Sequence, residues 1–149
     1  MPAGNGSWID LTTRAAATEP TVAYLLYDEH ALYVGFKVTQ RDALVATQPT
    51  NDAGFGIDDF VGIGVDPSGT AAQAYYFETT PHGTRYEQAS ENVRYRPRWQ
   101  AAAVRTPSGW NAVMIVPLAT LRIGAGQNQS WRFQFVRQLA ARGEHEVWA

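Results

Sequence analysis

Apolar and polar residues alternate with a period of two along most of the chain, while helical periodicity is nearly absent. In ALYVGFKVT, for example, Leu32, Val34, Phe36 and Val38 share one face and Tyr33, Gly35, Lys37 and Thr39 the other, as in a half-buried strand. The same rule reads TVAYLLY, FVGIGV, AQAYYFET, WQAAAVR, WNAVMIV and WRFQFVRQL as strands, with weaker ones in TRYEQ and HEVWA. Three segments, DPSGT, TPHGT and TPSGW, place proline second and glycine fourth, which presets φ and then admits the left-handed residue that closes a hairpin. The single helical candidate, VPLATLRIG, is one turn between Pro117 and Gly124. Hairpin turns without crossover helices predict an all-β fold, an antiparallel, jelly-roll-like β-sandwich of two packed sheets. The long polar segment TQPTNDAGFG is the candidate functional rim loop.

With 149 residues, 45% of them apolar and 12% aromatic, the chain suits one domain over residues 1–149. Its end, EHEVWA, stops directly after a strand-like run and reads as a domain excised from a longer protein. Twelve basic against fourteen acidic residues, with no block of like charge, argue against nucleic acid as a partner. No run is long and apolar enough for membrane insertion by a helix of this domain, and MPAGNGSWID lacks the basic start and apolar core of a signal peptide. The absence of cysteine removes disulfides, thiolate metal sites and cysteine nucleophiles together.

Enzyme chemistry finds little footing. No Gly-x-Ser-x-Gly occurs, and Ser68 and Ser108 are explained by their Pro-Ser-Gly turns. His30, His82 and His145 lack zinc-ligand spacing. Glycoside hydrolysis needs two carboxylates about 5 to 10 Å apart; Glu78, Glu87, Glu91, Asp58 and Asp59 supply groups, but no spacing selects a pair. The chain is therefore read as not an enzyme. Calcium is the better metal expectation, because a hard cation takes carboxylates and carbonyls from loops at strand ends, where Asp28, Asp52, Asp58, Asp59 and Asp66 fall. Asp28 and Asp66 also work as turn formers, and Asp58 and Asp59 as anchors of a loop. Of the five tryptophans, Trp110 and Trp131 alternate with apolar neighbours and read as core, whereas Trp99, Trp148 and Phe55 sit at strand ends or in loops. Arg137 shares the inward face of Trp131, Phe133 and Phe135 and marks a place where the sandwich could open, since a guanidinium is rarely buried without a partner.

The pieces VAYLLYDEHALYVGFKV, DDFVGIGVD, YYFETTPHGTRYE, RWQAAAVRTPSGWNAVMIVPLATLRI and WRFQFVRQLAARGEHEVWA follow one another in an order that resembles family 9 carbohydrate-binding modules. The likeness spans roughly Thr21 to Ala149 and is nearest to the version at the N-terminus of large bacterial surface proteins, ahead of an outer-membrane barrel. It implies a β-sandwich that binds a poly- or oligosaccharide, serves carbohydrate catabolism as an appendage to xylan- or cellulose-degrading enzymes, and carries structural calcium. It also implies an extracellular, periplasmic or cell-surface location within a larger parent protein. A sugar clamped between aromatic rings with arginine partners would here meet Phe55, Trp99 and Trp148 with Arg85 and Arg137, and calcium would meet Asp28, Asp58, Asp59 and Asp66. Two positions depart from the family's pattern, Gly62 and Val113, where carbohydrate-binding members usually carry acids. The alternative expectation is a structural or interaction sandwich without a sugar site. Haem binding through Met114 has no histidine placed opposite it.

Overall fold

A computed structural model of the protein describes residues 7–52, 56–90, 92, 94–125 and 129–149. Phe55, expected at a sugar site, and Glu91 lie outside the described residues. Among the described residues the strands run in the order β1 (Trp8–Asp10), β2 (Thr21–Tyr27), β3 (Ala31–Thr39), β4 (Phe60–Asp66), β5 (Tyr75–Thr79), β6 (Arg85–Ala89), β7 (Gln100–Thr106), β8 (Gly109–Pro117), β9 (Arg132–Leu139) and β10 (Glu144–Trp148). They form two antiparallel sheets, a large one in the order β1-β10-β9-β4-β5-β6 and a small one in the order β2-β3-β8-β7. The helical expectation reduces to a 3-10 turn at Leu118–Thr120, with a second such turn at Ala140–Arg142. Among the described residues no helix is long and apolar enough to cross a membrane.

Alternation decides which side chains meet. Leu32, Val34, Phe36 and Val38 of β3 and Trp110, Ala112, Met114 and Val116 of β8 point from the small sheet into a core shared with Val61, Ile63, Val65, Phe77 and Phe135 of the large one. Each large apolar side chain sealed there contributes about 1.5–3 kcal/mol relative to exposure. The turns behave as their sequences predict: TPHGT joins β5 to β6 with Gly83 at φ 77°, and TPSGW joins β7 to β8 with Gly109 at φ 150°. At Gly109 a Cβ would stand 2.2 Å from the carbonyl oxygen of Val38, so only glycine fits beside β3.

β4 is buried along its whole length because it lies in the middle of the large sheet, between β9 and β5. Val61, Ile63 and Val65 face the core, and Gly62 and Gly64 face the opposite, outer side. That outer side carries its own small apolar cluster, Phe60, Val136 and Val147 with Ile9 and Tyr86.

Candidate functional site

The two glycines of β4 leave gaps on the outer face of the large sheet, and side chains of β5 lean into them. Register sets the pairs: Gly62 lies opposite Glu78 and Gly64 opposite Tyr76. The Tyr76 ring lies over Gly64, with Cε1 and Cδ1 only 3.0 and 3.3 Å from where a Cβ would be. A Cβ on Gly62 would stand 2.6 Å from the Phe77 carbonyl oxygen and 2.7 Å from Glu78 Cγ, so the backbone of β5 excludes a side chain at position 62 whatever the pose of Glu78. The result is a tyrosine lying close over the backbone, 38% exposed, with a carboxyl group on the same face two residues along. Tyr86 and Gln88 of β6 and Gln134 of β9 flank them in register. Burial, with no compensating hydrogen bond, pushes the Glu78 carboxyl up to about 7.

The residues expected at a sugar site are divided among three places. Arg85 and Trp99 do come together, on the side where β6 approaches β7. The guanidinium lies 5.7 Å from the Trp99 ring centroid and donates to the Trp99 carbonyl. Trp99 is itself buried and donates its indole N–H to Glu87 Oε2 at 2.8 Å. Burial raises the Glu87 carboxyl above its usual range. The indole offers no open face there; the pair fastens the edge of one sheet to the other.

Trp148 lies in β10, separated from β6 by β9, β4 and β5. Four interstrand steps amount to roughly 19 Å, so one pyranose cannot touch Arg85 and Trp148 together. Trp148 is half-buried, nearly parallel to Phe133 (6.5 Å between centroids, 13°) and edge-on to Phe135.

Arg137 marks no opening. It is fully buried, and its guanidinium donates to the carbonyls of Glu19 and Thr39 and to Thr21 Oγ1 at 2.8–3.0 Å, which ties β9 to the start of β2 and the end of β3. The partners that make this burial tolerable come from the opposite sheet. Glu146, also sealed, stands 3.7 Å away, and among the described residues neither of its oxygens nor Arg137 Nε has a hydrogen-bond partner.

The four aspartates expected to meet calcium are each occupied by donors of the chain. Asp28 accepts from the N–H groups of His30 and Ala31 and from Tyr33 Oη. Asp66 accepts from Ser68 and Ala71. Asp58 accepts from Thr47 and Gln48, and Asp59 from Gln40 Nε2, Val45 and Ala140. Asp58 and Asp59 thus pin the 45–48 segment against β4. Hydrogen bonds from His30 and Ala31 hold the Asp28 carboxyl below the usual range; at Asp58 burial pulls upward, but Gln48 and Thr47 outweigh it. Among the described residues no group of three or more His, Asp or Glu side chains gathers as a cation would require, so the aspartates as placed do not fit a calcium shell. Glu78 and Glu87 point to opposite faces of the large sheet, and no cleft lies between them for a glycosidic bond.

Sequence reasoning misses Tyr76 and reaches Glu78 only as one of five carboxylates for glycoside hydrolysis, among which no spacing selects a pair. Alternation alone puts both on the face opposite Tyr75 and Phe77; what it cannot supply is the glycine beneath each.

The fold can be set against known structures. A candidate carbohydrate-binding protein from Bacteroides uniformis ATCC 8492 superposes with a TM-score of 0.70 at 14% identity, over 97% of this chain and 76% of that one. A family 9 carbohydrate-binding module from Caldicellulosiruptor kristjanssonii in complex with glucose gives 0.66 at 16% identity, covering 97% and 73%. A module of that family from the same organism, in complex with cellotriose, gives 0.63 at 15%, covering 97% and 71%. This chain has the fold of those modules. At such identities the likeness is one of fold, and it agrees with the sandwich read from the alternation. No family model matches the sequence, and no curated protein matches it.

Proposed function

We propose that the chain is a non-catalytic carbohydrate-binding module that holds a poly- or oligosaccharide on the outer face of its large sheet. The observation that carries this reading is Tyr76, lying over Gly64 with the Glu78 carboxyl beside it. A pyranose presents a C–H face that stacks on a flat ring, and its hydroxyls then meet the carboxyl and the amides of Gln88 and Gln134. The fold shared with modules bound to glucose and cellotriose supports the same ligand class. By this reading the module works outside the cytoplasm, as an appendage of a larger protein engaged in carbohydrate catabolism. The arginine contact expected from the sequence is not part of this platform, because Arg85 shares the inner face of β6 with Glu87 and bonds the Trp99 carbonyl there.

Titration calorimetry with cellotriose tests the reading. Tyr76→Ala is expected to weaken binding about tenfold, the loss of one stacked ring, with the melting temperature nearly unchanged. Equal affinity of the folded variant and the wild type would sink this platform.

A second reading, a sandwich that packs on another protein, draws on the small sheet's outer face, where Leu26, Val104 and Val113 are each more than half exposed. It predicts that Val113→Lys abolishes association with the remainder of the parent protein while leaving saccharide binding intact.

A further inference from the structure

Tyr76 belongs to a row of side chains that crosses the strands. Register lines up Gln88 of β6, Tyr76 of β5, Gly64 of β4 and Gln134 of β9 on the outer face of the large sheet. Three interstrand steps, roughly 14 Å, separate Gln88 from Gln134. That span is longer than one pyranose and suits a run of linked rings. Beyond Gln88 the sheet ends, since β6 is its last strand. Beyond Gln134 the β9–β10 register leads to Ala149 and then to Ser7, whose backbones bond each other and whose small side chains are exposed. Among the described residues neither end of the row meets a wall. A site that grips the end of a chain needs one, to stop the terminal ring.

Polar groups flank the row on both sides. Along one side stand Glu78 and Tyr86, with Val136 and Val147 farther on. Along the other, Arg132 and Asp66 lie opposite each other on β9 and β4, each two residues before or after the row. Arg132 is exposed and has no ion pair or hydrogen bond among the described residues. Asp66 stays ionised beside it, its carboxyl held below the usual range by the Ser68 hydroxyl and the Ala71 N–H. With both signs together, this side offers donors and acceptors to hydroxyls and does not favour a charged chain. The two glutamines divide the roles. Gln134 gives its amide N–H to the Trp148 carbonyl and keeps Oε1 as an acceptor, while Gln88 Oε1 takes the Tyr86 hydroxyl at 3.2 Å and leaves the N–H groups to donate.

We propose that this row holds the interior of a neutral polysaccharide chain, laid across the strands with one ring on Tyr76 and the next toward β9, where Arg132 and Gln134 bond its hydroxyls. The proposal rests on the reading of the outer face as a saccharide site; it adds which part of the polymer is held and that Arg132 helps to hold it. A chain that passes through both open ends needs no terminus of its own at the site. Several modules therefore occupy one polymer.

Calorimetry on the whole chain with three probes tests this: glucose, cellotriose, and a soluble mixed-linkage β-glucan in which cellotriosyl blocks lie inside long chains. Cellotriose is expected to bind about tenfold more tightly than glucose, through the added ring and the hydrogen bonds of Arg132 and Gln134. The polymer should take up many modules per chain. Arg132→Gln should weaken cellotriose about fivefold, the loss of one hydrogen bond from a charged group, and leave glucose on Tyr76 unchanged. Equal affinity for glucose and cellotriose overturns the proposal and leaves the Tyr76 platform standing. So does saturation of the polymer at one module per chain, or a folded Arg132→Gln variant that binds cellotriose like the wild type. Failure to bind any of the three probes, or cellotriose binding that Tyr76→Ala does not weaken, refutes the platform and this inference with it.

Discussion

Two glutamates of the large sheet carry carboxyl groups raised to about 7, and they lie in opposite surroundings. Glu146 is sealed between the sheets beside Arg137, with both oxygens unbonded. Glu78 lies on the outer face over Gly62, with no ion pair among the described residues and with Tyr76 two residues before it on the same face of the strand. In both cases burial is the larger cause; at Glu146 the attraction of Arg137 offsets only part of it. What differs is access. A group that no ligand can reach acts on stability alone, whereas one at a surface can exchange its missing hydrogen bonds for those of a bound molecule.

The largest effect should come from breaking the sealed region. Arg137→Ala removes donors from the Glu19 and Thr39 carbonyls and from Thr21 Oγ1 and strands Glu146, so a loss of about 3–5 kcal/mol in denaturant unfolding is expected. Replacing the pair together, Arg137→Met with Glu146→Leu, should recover most of that loss, because neither charge is then left alone. If the double variant is as unstable as the single one, the hydrogen bonds across the sheets matter more than the charge.

The next effect is one of pH. A carboxyl whose folded value is about 7 against an ordinary 4.5 holds its proton in the folded state after the unfolded chain has released it. Its contribution to stability is complete below about pH 4.5 and is lost as pH rises through 7, to a total of up to about 3 kcal/mol. Asp10, Asp28, Asp58 and Asp66, all lowered, act in the other direction and only below their ordinary 3.8. Glu146→Gln should therefore flatten the fall between pH 4.5 and 7. A variant whose stability still declines as steeply over that window would assign the effect to Glu78 instead.

These contrasts also mark how far the sequence could be read. β2 and β3 run over the same residues that the alternation picks out, because each has one dry and one wet face. β1 was missed, for three residues are too few to display a period. The inward face of β9 was legible, and Arg137 with it. Its closure was not, since Glu19, Thr21 and Thr39 reach it from the other sheet over about a hundred residues of sequence. The pairing of Glu78 with Gly62 depends on how the segment between β4 and β5 is wound, and the separation of Arg85 from Trp148 depends on strand order. Composition and period fix neither.

On the open face the expected change is in affinity and not in stability. Tyr76→Ala should alter unfolding free energy by less than about 1 kcal/mol while costing about tenfold in cellotriose affinity. Tyr24 is its control: it too packs on a glycine, its Cβ and Cδ2 at 3.7 and 3.8 Å from a Cβ placed on Gly35, and it is equally exposed. Its neighbours are Val22 and Leu26 instead of a carboxyl group. Tyr24→Ala should leave binding unchanged; if both tyrosines matter equally, the polar surroundings of Tyr76 do not select the ligand.

The smallest effect separates the aspartates from the two glutamates. Among the described residues Glu78 and Glu146 lack hydrogen bonds to their oxygens, whereas Asp28, Asp58, Asp59 and Asp66 accept from three donor groups each of the chain itself. A calcium ion binding there would have to displace those donors, and a cation needs six to eight oxygens where each of these sites offers one engaged carboxylate. Adding a chelator should therefore shift the thermal midpoint by less than about 1 °C, since no bound ion linked to folding is withdrawn. A drop of several degrees, restored by calcium and not by magnesium, would mean that the backbone donors and the ion exchange places, and that the carboxylates are less committed than their geometry indicates.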